Sequence, residues 1–272
     1  MISSGVEWTF LFGMIDGAVP FVGGVHSHCI IALDKGTKVD SSLSLEYGGC
    51  HSLSSLDLSH FYYWTEDLPP ALEAHPSVAA SLSRLDLHTL LSAKGFKSHK
   101  HFAITASCPN LRELLAACMF NPRYIHFIGD EALLALASNC HRLSLLHLVD
   151  ISSLANARAD LDDDGFTSED ARISRATLED LLEGLPLLEE LVLDVCHNIS
   201  DTGWALEILN SKCPLLKLLK LGQFHGICRP TGSQLDGIAL CKGLTALSIK
   251  NSADLTDSGL MALLWMSQAG KV

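Results

Sequence analysis

A cluster of aspartates has the spacing of the first ligands in a calcium-binding loop. Asp160, Asp162 and Asp164 are followed by Gly165, as in such a loop. Carboxylate oxygens suit Ca²⁺, but the loop also needs a bidentate glutamate at its twelfth position, which is Ala171 here. We therefore interpret the cluster as part of a solvated acidic insertion and not as a calcium site.

Nitrogen and sulfur ligands of the kind that zinc prefers lie close together near the start of the chain. They are His26, His28 and Cys29. A structural zinc site needs four ligands, and no fourth ligand follows at zinc-finger spacing. The sequence therefore predicts no metal site at this position.

Compact catalytic motifs are absent from the sequence. It contains no nucleophile elbow, phosphate-binding loop or dinucleotide-binding glycine motif, and no spacing groups its serines, histidines and aspartates. The net charge of −12 and the lack of a basic stripe disfavour nucleic acid and anionic membrane as partners. The sequence therefore predicts a protein that is not an enzyme, needs no cofactor and binds other proteins.

A recurring motif, Leu-x-x-Leu-x-Leu, predicts the strands and helices that would position any binding residues. Its first leucines step by 29, 29, 32, 45, 28 and 28 residues. Such a period predicts stacked units, each a short strand followed by a returning helix. The predicted fold class is α/β, a leucine-rich-repeat solenoid with parallel strands on the concave face and helices on the convex face. The copies, two of them variants, begin at Leu53, Leu82, Leu111, Leu143, Leu188, Leu216 and Leu244.

The spacing of the motif also predicts the domain organisation. Residues 1–40 carry no copy and are expected to be a non-repeat N-terminal segment, and residues 41–272 are expected to be the repeat array. Residues 42–45 are expected to form a ragged first strand. The long step of 45 residues places an acidic insertion near residues 150–175, which we expect to be a loop.

The array is expected to be truncated at its C-terminus. Asp130 is followed ten residues later by Cys140, whereas Asp257 is followed at the same distance by Ser267, and no further copy of the motif begins.

Cysteines and aspartates recur in phase with the leucines. Asp130, Asp201 and Asp257 precede predicted helices, where a carboxylate can accept hydrogen bonds from free N–H groups of the first turn.

We interpret four of the nine cysteines as reduced, buried thiols at the ends of the helices. Each lies three residues before the first leucine of a repeat: Cys108, Cys140, Cys213 and Cys241.

Polar residues that flank the buried leucines are expected to point outward from the strands. Their mixed charge fits a protein-binding face. Ordinary solvation is the simpler interpretation of any one of these residues, so the hypothesis concerns the set. The candidate partner-facing residues are Asp57, Arg84, Asp86, Glu113, His147, Glu190, Lys217 and Lys220.

Longer segments of the sequence resemble a known family. The Cys-Pro-x-Leu sequences at residues 108–111 and 213–216 are similar to the cysteine-containing leucine-rich repeat, which is frequent in F-box proteins. The chain between roughly residues 50 and 260 resembles the plant F-box leucine-rich-repeat family of strigolactone and karrikin signalling, the more axillary growth or DWARF F-box family. The segments that carry this resemblance are residues 56–67, 121–132, 188–195, 205–213, 219–228 and 235–257.

The resemblance implies a scaffold in a ubiquitin ligase of the SCF type. Family members have an N-terminal F-box that docks a Skp1-like protein, and repeats that engage a hormone-bound α/β-hydrolase receptor and repressor proteins. It implies a nuclear protein, with the cytoplasm as an alternative. Because residues 1–40 do not resemble an F-box, and because the family's receptor-docking surface lies mainly in later repeats, we expect a partial chain. The alternative is a free-standing repeat protein with no ligase role.

Overall fold

The computed structural model of the 272-residue chain describes its repeats in part. The motifs at residues 26–29 and 160–171 lie outside the described residues, so both metal interpretations stay predictions. Within the described part of the chain, no helix is both long and apolar enough to cross a lipid bilayer. The described residues are 32–33, 43–44, 53–59, 68–88, 98–118, 120, 128–151, 173–194, 208–222 and 243–250.

Between Ser55 and Gly222, the described strands and helices follow one another in the order that the repeats predict. The strands are β1 (Ala32–Leu33), β2 (Leu43–Ser44), β3 (Ser55–Asp57), β4 (Arg84–Leu87), β5 (Glu113–Cys118), β6 (Leu145–Asp150), β7 (Glu190–Asp194), β8 (Leu218–Gly222) and β9 (Ala246–Lys250). The helices are α1 (Leu68–Ala74), α2 (Pro76–Ser81), α3 (Ser98–Ser107), α4 (Asp130–Asn139), α5 (Arg175–Gly184) and α6 (Leu209–Lys212).

Seven strands form one parallel sheet, whose spatial order from β3 to β9 is also their order in the chain. The register places the second leucine of every motif beside its counterpart in the next repeat. The predicted α/β class with parallel strands is therefore confirmed, and the leucine spacing fixes the pairing. The paired residues are Leu56, Leu85, Leu114, Leu146, Leu191, Leu219 and Leu247.

The expectation that residues 42–45 begin this sheet is wrong. Leu43–Ser44 pairs antiparallel with Ala32–Leu33 in a separate two-stranded sheet. Residues 42–45 alternate with the period of a strand, but Asp40 stands where the motif needs its first leucine. Without that leucine, the segment lacks the first of the apolar side chains with which a repeat packs into the shared core.

One face of the seven-stranded sheet packs against the helices. Strand leucines such as Leu146 and Leu191 and helix leucines such as Leu136 and Leu181 belong to one buried cluster. Helices that follow each other pack side by side, with α3 against α4 and α4 against α5. Each fully buried leucine contributes about 1.5–3 kcal/mol, so this shared core holds the repeats together.

Hydrogen bonds at the start of each strand recur from one repeat to the next. The carbonyl of Ser83 accepts the N–H groups of residues 112 and 113 at 2.7 and 2.9 Å. The carbonyl of Ser144 accepts those of residues 189 and 190 at 2.7 and 3.0 Å. The second pair spans the long step of 45 residues, yet its geometry matches that of the first. The repeats therefore stack in the same way on both sides of the predicted insertion.

The start of α4 differs from the prediction. Asp130 lies in the first turn of the helix, and Gly129 occupies the capping position. The Asp130 carboxylate instead accepts the backbone N–H of Ser174 at 2.8 Å, and Ser174 caps α5 by accepting the N–H of Thr177 at 3.2 Å. Asp130 therefore links two successive helices, while Asp201 and Asp257 lie outside the described residues.

Buried cysteines end three of the helices, as predicted. Cys108, Cys140 and Cys213 directly follow α3, α4 and α6, and each is buried. The Cys213 thiol lies 3.4 Å from the carbonyl oxygen of Leu182 in the preceding repeat, to which it can donate. Burial raises the pKa of Cys108 and Cys140 to about 12, so these thiols stay protonated and act as small apolar groups. Cys241 lies outside the described residues.

Candidate functional site

The side chains that alternate with the buried leucines form the opposite face of the sheet, which we call the open face. Because the strands are in register, these side chains line up in rows that cross the sheet. The first row is Ser55, Arg84, Glu113, Leu145, Glu190, Leu218 and Ala246. The second row is Asp57, Asp86, Leu115, His147, Val192, Lys220 and Ser248. The third row runs through Ala117, Val149, Asp194, Gly222 and Lys250.

Seven of the eight candidate partner-facing residues lie in these rows. The eighth, Lys217, lies one residue before β8 and pairs with Glu189 at 2.5 Å beside the sheet. The first row holds Arg84, Glu113 and Glu190, and the second row holds Asp57, Asp86, His147 and Lys220.

Arg84 anchors an ion-pair cluster at the β3 side of the open face. Its guanidinium contacts the carboxylate of Glu113 on the next strand, and also that of Asp86 at 3.1 Å. Burial disfavours the charge on Arg84, but these two carboxylates outweigh it and raise the pKa of the guanidinium. Asp86 also accepts the backbone N–H of His88 at 3.1 Å. One guanidinium is therefore shared by two carboxylates, and the cluster keeps a net negative charge.

A second ion-pair cluster lies towards β9 and was only partly predicted. Asp194 contacts Lys220 at 3.1 Å and Lys250 at 2.9 Å. Burial disfavours its charged form, but the two lysines outweigh this effect and lower the pKa of Asp194. Asp194 and Lys250 were missed because they belong to the third row, one position beyond the leucine motif. Extending the alternation by two residues would have found both.

Apolar side chains occupy the open face between the two clusters. We call them the central apolar patch: Leu115, Leu145, Val149, Val192 and Leu218. Val192 is 5% exposed, and the other four are half-buried. These five residues were not among the predicted partner-facing positions, all of which are polar. An apolar centre with charged residues at its margin is typical of a protein-binding surface.

His147 lies in the middle of the central apolar patch. Its row neighbours are Leu115 and Val192, and Leu145 and Val149 flank it on its own strand. Its Nε2 atom lies 3.6 Å from Oε2 of Glu190, too far for a strong hydrogen bond. Burial lowers the pKa of His147, and His88 and Lys220 add to this shift, although Glu190 opposes it.

The lowered pKa predicts a pH-dependent stability. The unfolded state, whose histidine has a pKa of about 6.5, binds more protons than the folded state as pH falls, so acid removes stability. Replacing His147 with glutamine is expected to reduce the loss of stability between about pH 7.5 and about pH 5.5. Urea unfolding at both pH values measures the effect, with His75→Gln as the control. Equal losses in the native chain and the His147 variant would contradict it.

The arrangement offers surfaces for binding. Among the residues that the structure describes, no group of three or more His, Cys, Asp or Glu side chains is placed to hold a metal ion. The open face instead presents apolar side chains between two ion-pair clusters, a combination suited to contact with another polypeptide.

Comparisons with known proteins give strong matches to plant F-box proteins. The chain is 58% identical over 217 residues to F-box protein MAX2 homolog A of Petunia hybrida, which covers 80% of the chain and 31% of that relative. It is 54% identical over 212 residues to F-box protein MAX2 of Arabidopsis thaliana, covering 78% of the chain and 30% of that relative. It is 45% identical over 215 residues to the F-box/LRR-repeat MAX2 homolog of Oryza sativa subsp. japonica, covering 79% of the chain and 29% of that relative.

No family model matches the chain. The chain spans about a third of the length of the curated relatives that it matches. The identity over about four fifths of the chain is nevertheless high in each plant, and it confirms the resemblance seen in the sequence. The chain therefore belongs to the MAX2 F-box protein family.

Proposed function

We propose that this chain is a non-catalytic scaffold that forms repeats of a substrate-recognition adaptor in an SCF-type ubiquitin ligase. The observation that carries the proposal is its identity with proteins named MAX2 F-box proteins. Because the chain spans about a third of their length, the proposal concerns the share of the adaptor that these repeats supply.

The proposed architecture is a leucine-rich-repeat solenoid in which the open face is concave. Two observations support this architecture. The Oryza sativa relative is named an F-box/LRR-repeat protein, and the strands of the sheet here lie in the order in which they occur in the chain. Helices are about 10–12 Å wide, whereas neighbouring strands lie about 4.8 Å apart. Because the helix layer is wider, it takes the outer side of the curve, and the sheet lies on the inner, concave side. We also propose that residues 1–40 precede this array and that its acidic insertion lies near residues 150–175.

The proposed partners are proteins of strigolactone and karrikin signalling in the nucleus. They are a Skp1-like protein, an α/β-hydrolase hormone receptor and the repressor proteins that the ligase marks. The open face supports contact with a folded partner, since its central apolar patch lies between the Arg84 and Asp194 ion-pair clusters. Such a partner would cover the leucines and pair its own polar groups with the charged margin.

Binding of the 272-residue chain to the purified receptor and repressor tests the proposal. Biolayer interferometry with and without a synthetic strigolactone would measure both interactions. We expect the repressor to bind, since the resemblance places receptor docking mainly in later repeats. We expect Leu145→Ser with Leu218→Ser to weaken this binding at least about tenfold, as loss of interface anchors does. Both leucines are half-buried on the open face and lie outside the shared core.

The matched control is Leu134→Ser, which removes an exposed leucine from α4 on the helical side. It should leave binding unchanged, and circular dichroism should show that all variants keep their fold. Failure of the chain to bind the repressor, the receptor and a Skp1-like protein would remove the adaptor role for this chain, though not for a longer parent protein. The alternative, a free-standing leucine-rich-repeat protein with no ligase role, would then be favoured.

A further inference from the structure

A second surface lies beside the sheet, where each helix gives way to the next strand. In the five repeats from Leu111 to Leu244, the first leucine of the motif lies between two more exposed residues, and it is buried in all of them except the last. The residues before it are Asn110, Arg142, Leu187, Leu215 and Gly243, and the residues after it are Arg112, Ser144, Glu189, Lys217 and Thr245. We call this surface the strand-start edge. Its backbone is fixed, because the carbonyls of Arg112, Ser144 and Glu189 each accept two N–H groups from the next repeat.

A groove of about 380 Å³ crosses the strand-start edge over successive repeats. Its lining residues are Arg112, Arg142, Ser144, Leu187, Glu189 and Leu215. Leu187 and Leu215 are each 46% exposed, more than any other large apolar side chain in the described residues. Two exposed leucines on a fixed backbone form an apolar floor that no described segment of the chain covers.

Charge in the groove is unbalanced, with an excess of positive charge. Its one acidic residue, Glu189, is engaged by Lys217 at 2.5 Å. Arg142 donates to the neutral side-chain oxygen of Asn110 at 2.9 Å, and Asn110 in turn donates to the carbonyl of Ala80. Within the described part of the chain, neither Arg112 nor Arg142 forms an ion pair. Two guanidinium groups beside the leucines therefore lack a carboxylate partner among the described residues, in a chain whose net charge is −12.

We propose that this groove binds an extended partner segment in which leucine-like side chains stand next to carboxylates. The apolar side chains would cover Leu187 and Leu215, and the carboxylates would take bidentate hydrogen bonds from Arg112 and Arg142. Asn110 already holds one guanidinium in place, which lowers the entropy lost on binding. The groove is separate from the open face, so the inference does not depend on the ligase role.

A peptide fits this groove better than a phosphate group or a nucleic acid. Phosphate would pair with the arginines but would leave both leucines exposed to water. The chain's net charge of −12 repels a long polyanion such as a nucleic acid more strongly than a short segment that carries only a few carboxylates. A short segment that carries both apolar and acidic groups meets both halves of the groove at once.

The test uses the whole chain and three short capped peptides labelled for fluorescence anisotropy. One peptide has two leucines set among glutamates, one replaces its glutamates with lysines, and one replaces its leucines with serines. We expect the first peptide to bind at least about tenfold more tightly than either of the others, since each of them lacks one of the two contacts.

Variants of the chain separate the two contacts. Arg112→Ala with Arg142→Ala should weaken binding about tenfold and flatten its dependence on salt, because salt screens exposed charge pairs. Leu187→Ser with Leu215→Ser should also weaken binding about tenfold but leave the salt dependence as it is. All four side chains lie at the surface, so the fold should survive. The matched controls are Arg175→Ala on α5 and Leu134→Ser on α4, both exposed and outside the groove.

Several outcomes would overturn the inference. Equal binding of all three peptides would do so, as would full binding by the arginine variant. If inorganic phosphate binds the groove and the leucine-containing peptide binds no more tightly than its serine counterpart, the groove would be assigned to a simple anion instead. A dimer in sedimentation that dissociates on Leu187→Ser would assign the groove to a second copy of this chain. None of these assays contains a ligase partner, so their failure is distinct from failure of the adaptor proposal.

Discussion

Replacing Leu188 with alanine is expected to lower the free energy of unfolding by about 2–5 kcal/mol, the usual cost of deleting a buried leucine side chain. Leu188 is 0% exposed and belongs to the core that joins successive repeats. Its neighbour provides a matched control, because Leu187 is 46% exposed. The same substitution at Leu187 should change stability by less than about 0.5 kcal/mol. Urea unfolding followed by circular dichroism measures both.

The next repeat allows the same experiment to be run again. Leu216 is 1% exposed and Leu215 is 46% exposed, so Leu216→Ala should be costly and Leu215→Ala nearly neutral. Agreement between the two repeats would show that the motif, and not one local environment, sets the cost. Equal effects at the buried and exposed leucines of either pair would contradict the orientation of that strand start.

Replacing Gly184 with alanine is expected to lower the free energy of unfolding by about 1–3 kcal/mol, as overpacking typically does. A β-carbon on Gly184, at the end of α5, would lie 2.7 Å from the carbonyl oxygen and 2.8 Å from the Cα atom of Ala137 on α4. Both of those atoms belong to the backbone, so the helices must separate to make room. Thermal and urea unfolding of the variant measure the effect.

Gly243→Ala is the control for this substitution. Its added β-carbon would lie 3.2 Å from the carbonyl oxygen of Leu216, a milder approach that a small shift can relieve. The double variant with Ala137→Gly should recover only part of the loss at Gly184, because two of the three closest atoms are backbone. A Gly184 variant as stable as the native chain, or full recovery in the double variant, would contradict the close helix approach.

The repeat architecture could be predicted because its signals are local and periodic. Leu146 and Leu191 are far apart in sequence, yet both occupy the second position of the same motif, and the sheet pairs them directly. The cysteines follow the same logic, since Cys140 and Cys213 hold one position in different repeats. A periodic pattern of this kind specifies both the buried face and the pairing of the strands.

The candidate site could be predicted only in part, because its properties arise between repeats. The sequence placed His147 on an outward position, but only the strand register sets it between Leu115 and Val192 on the two neighbouring strands. Likewise, Asp130 reaches Ser174 across 44 residues, and no local capping rule describes such a contact. The predicted residues are all polar, so they mark the margins of the open face and leave out its apolar centre.

The hydrogen bonds at the strand starts have a consequence for how this chain can change in length. The bonds from Glu189 to Ser144 are the same as those from Arg112 to Ser83, although the first pair spans a much longer stretch of sequence. Extra residues between β6 and α5 therefore add nothing to the spacing of the sheet. A foreign loop, an affinity tag or a fluorescent domain inserted there is expected to leave the open face and the strand-start groove in their present geometry. This connection is therefore a suitable insertion site for protein engineering.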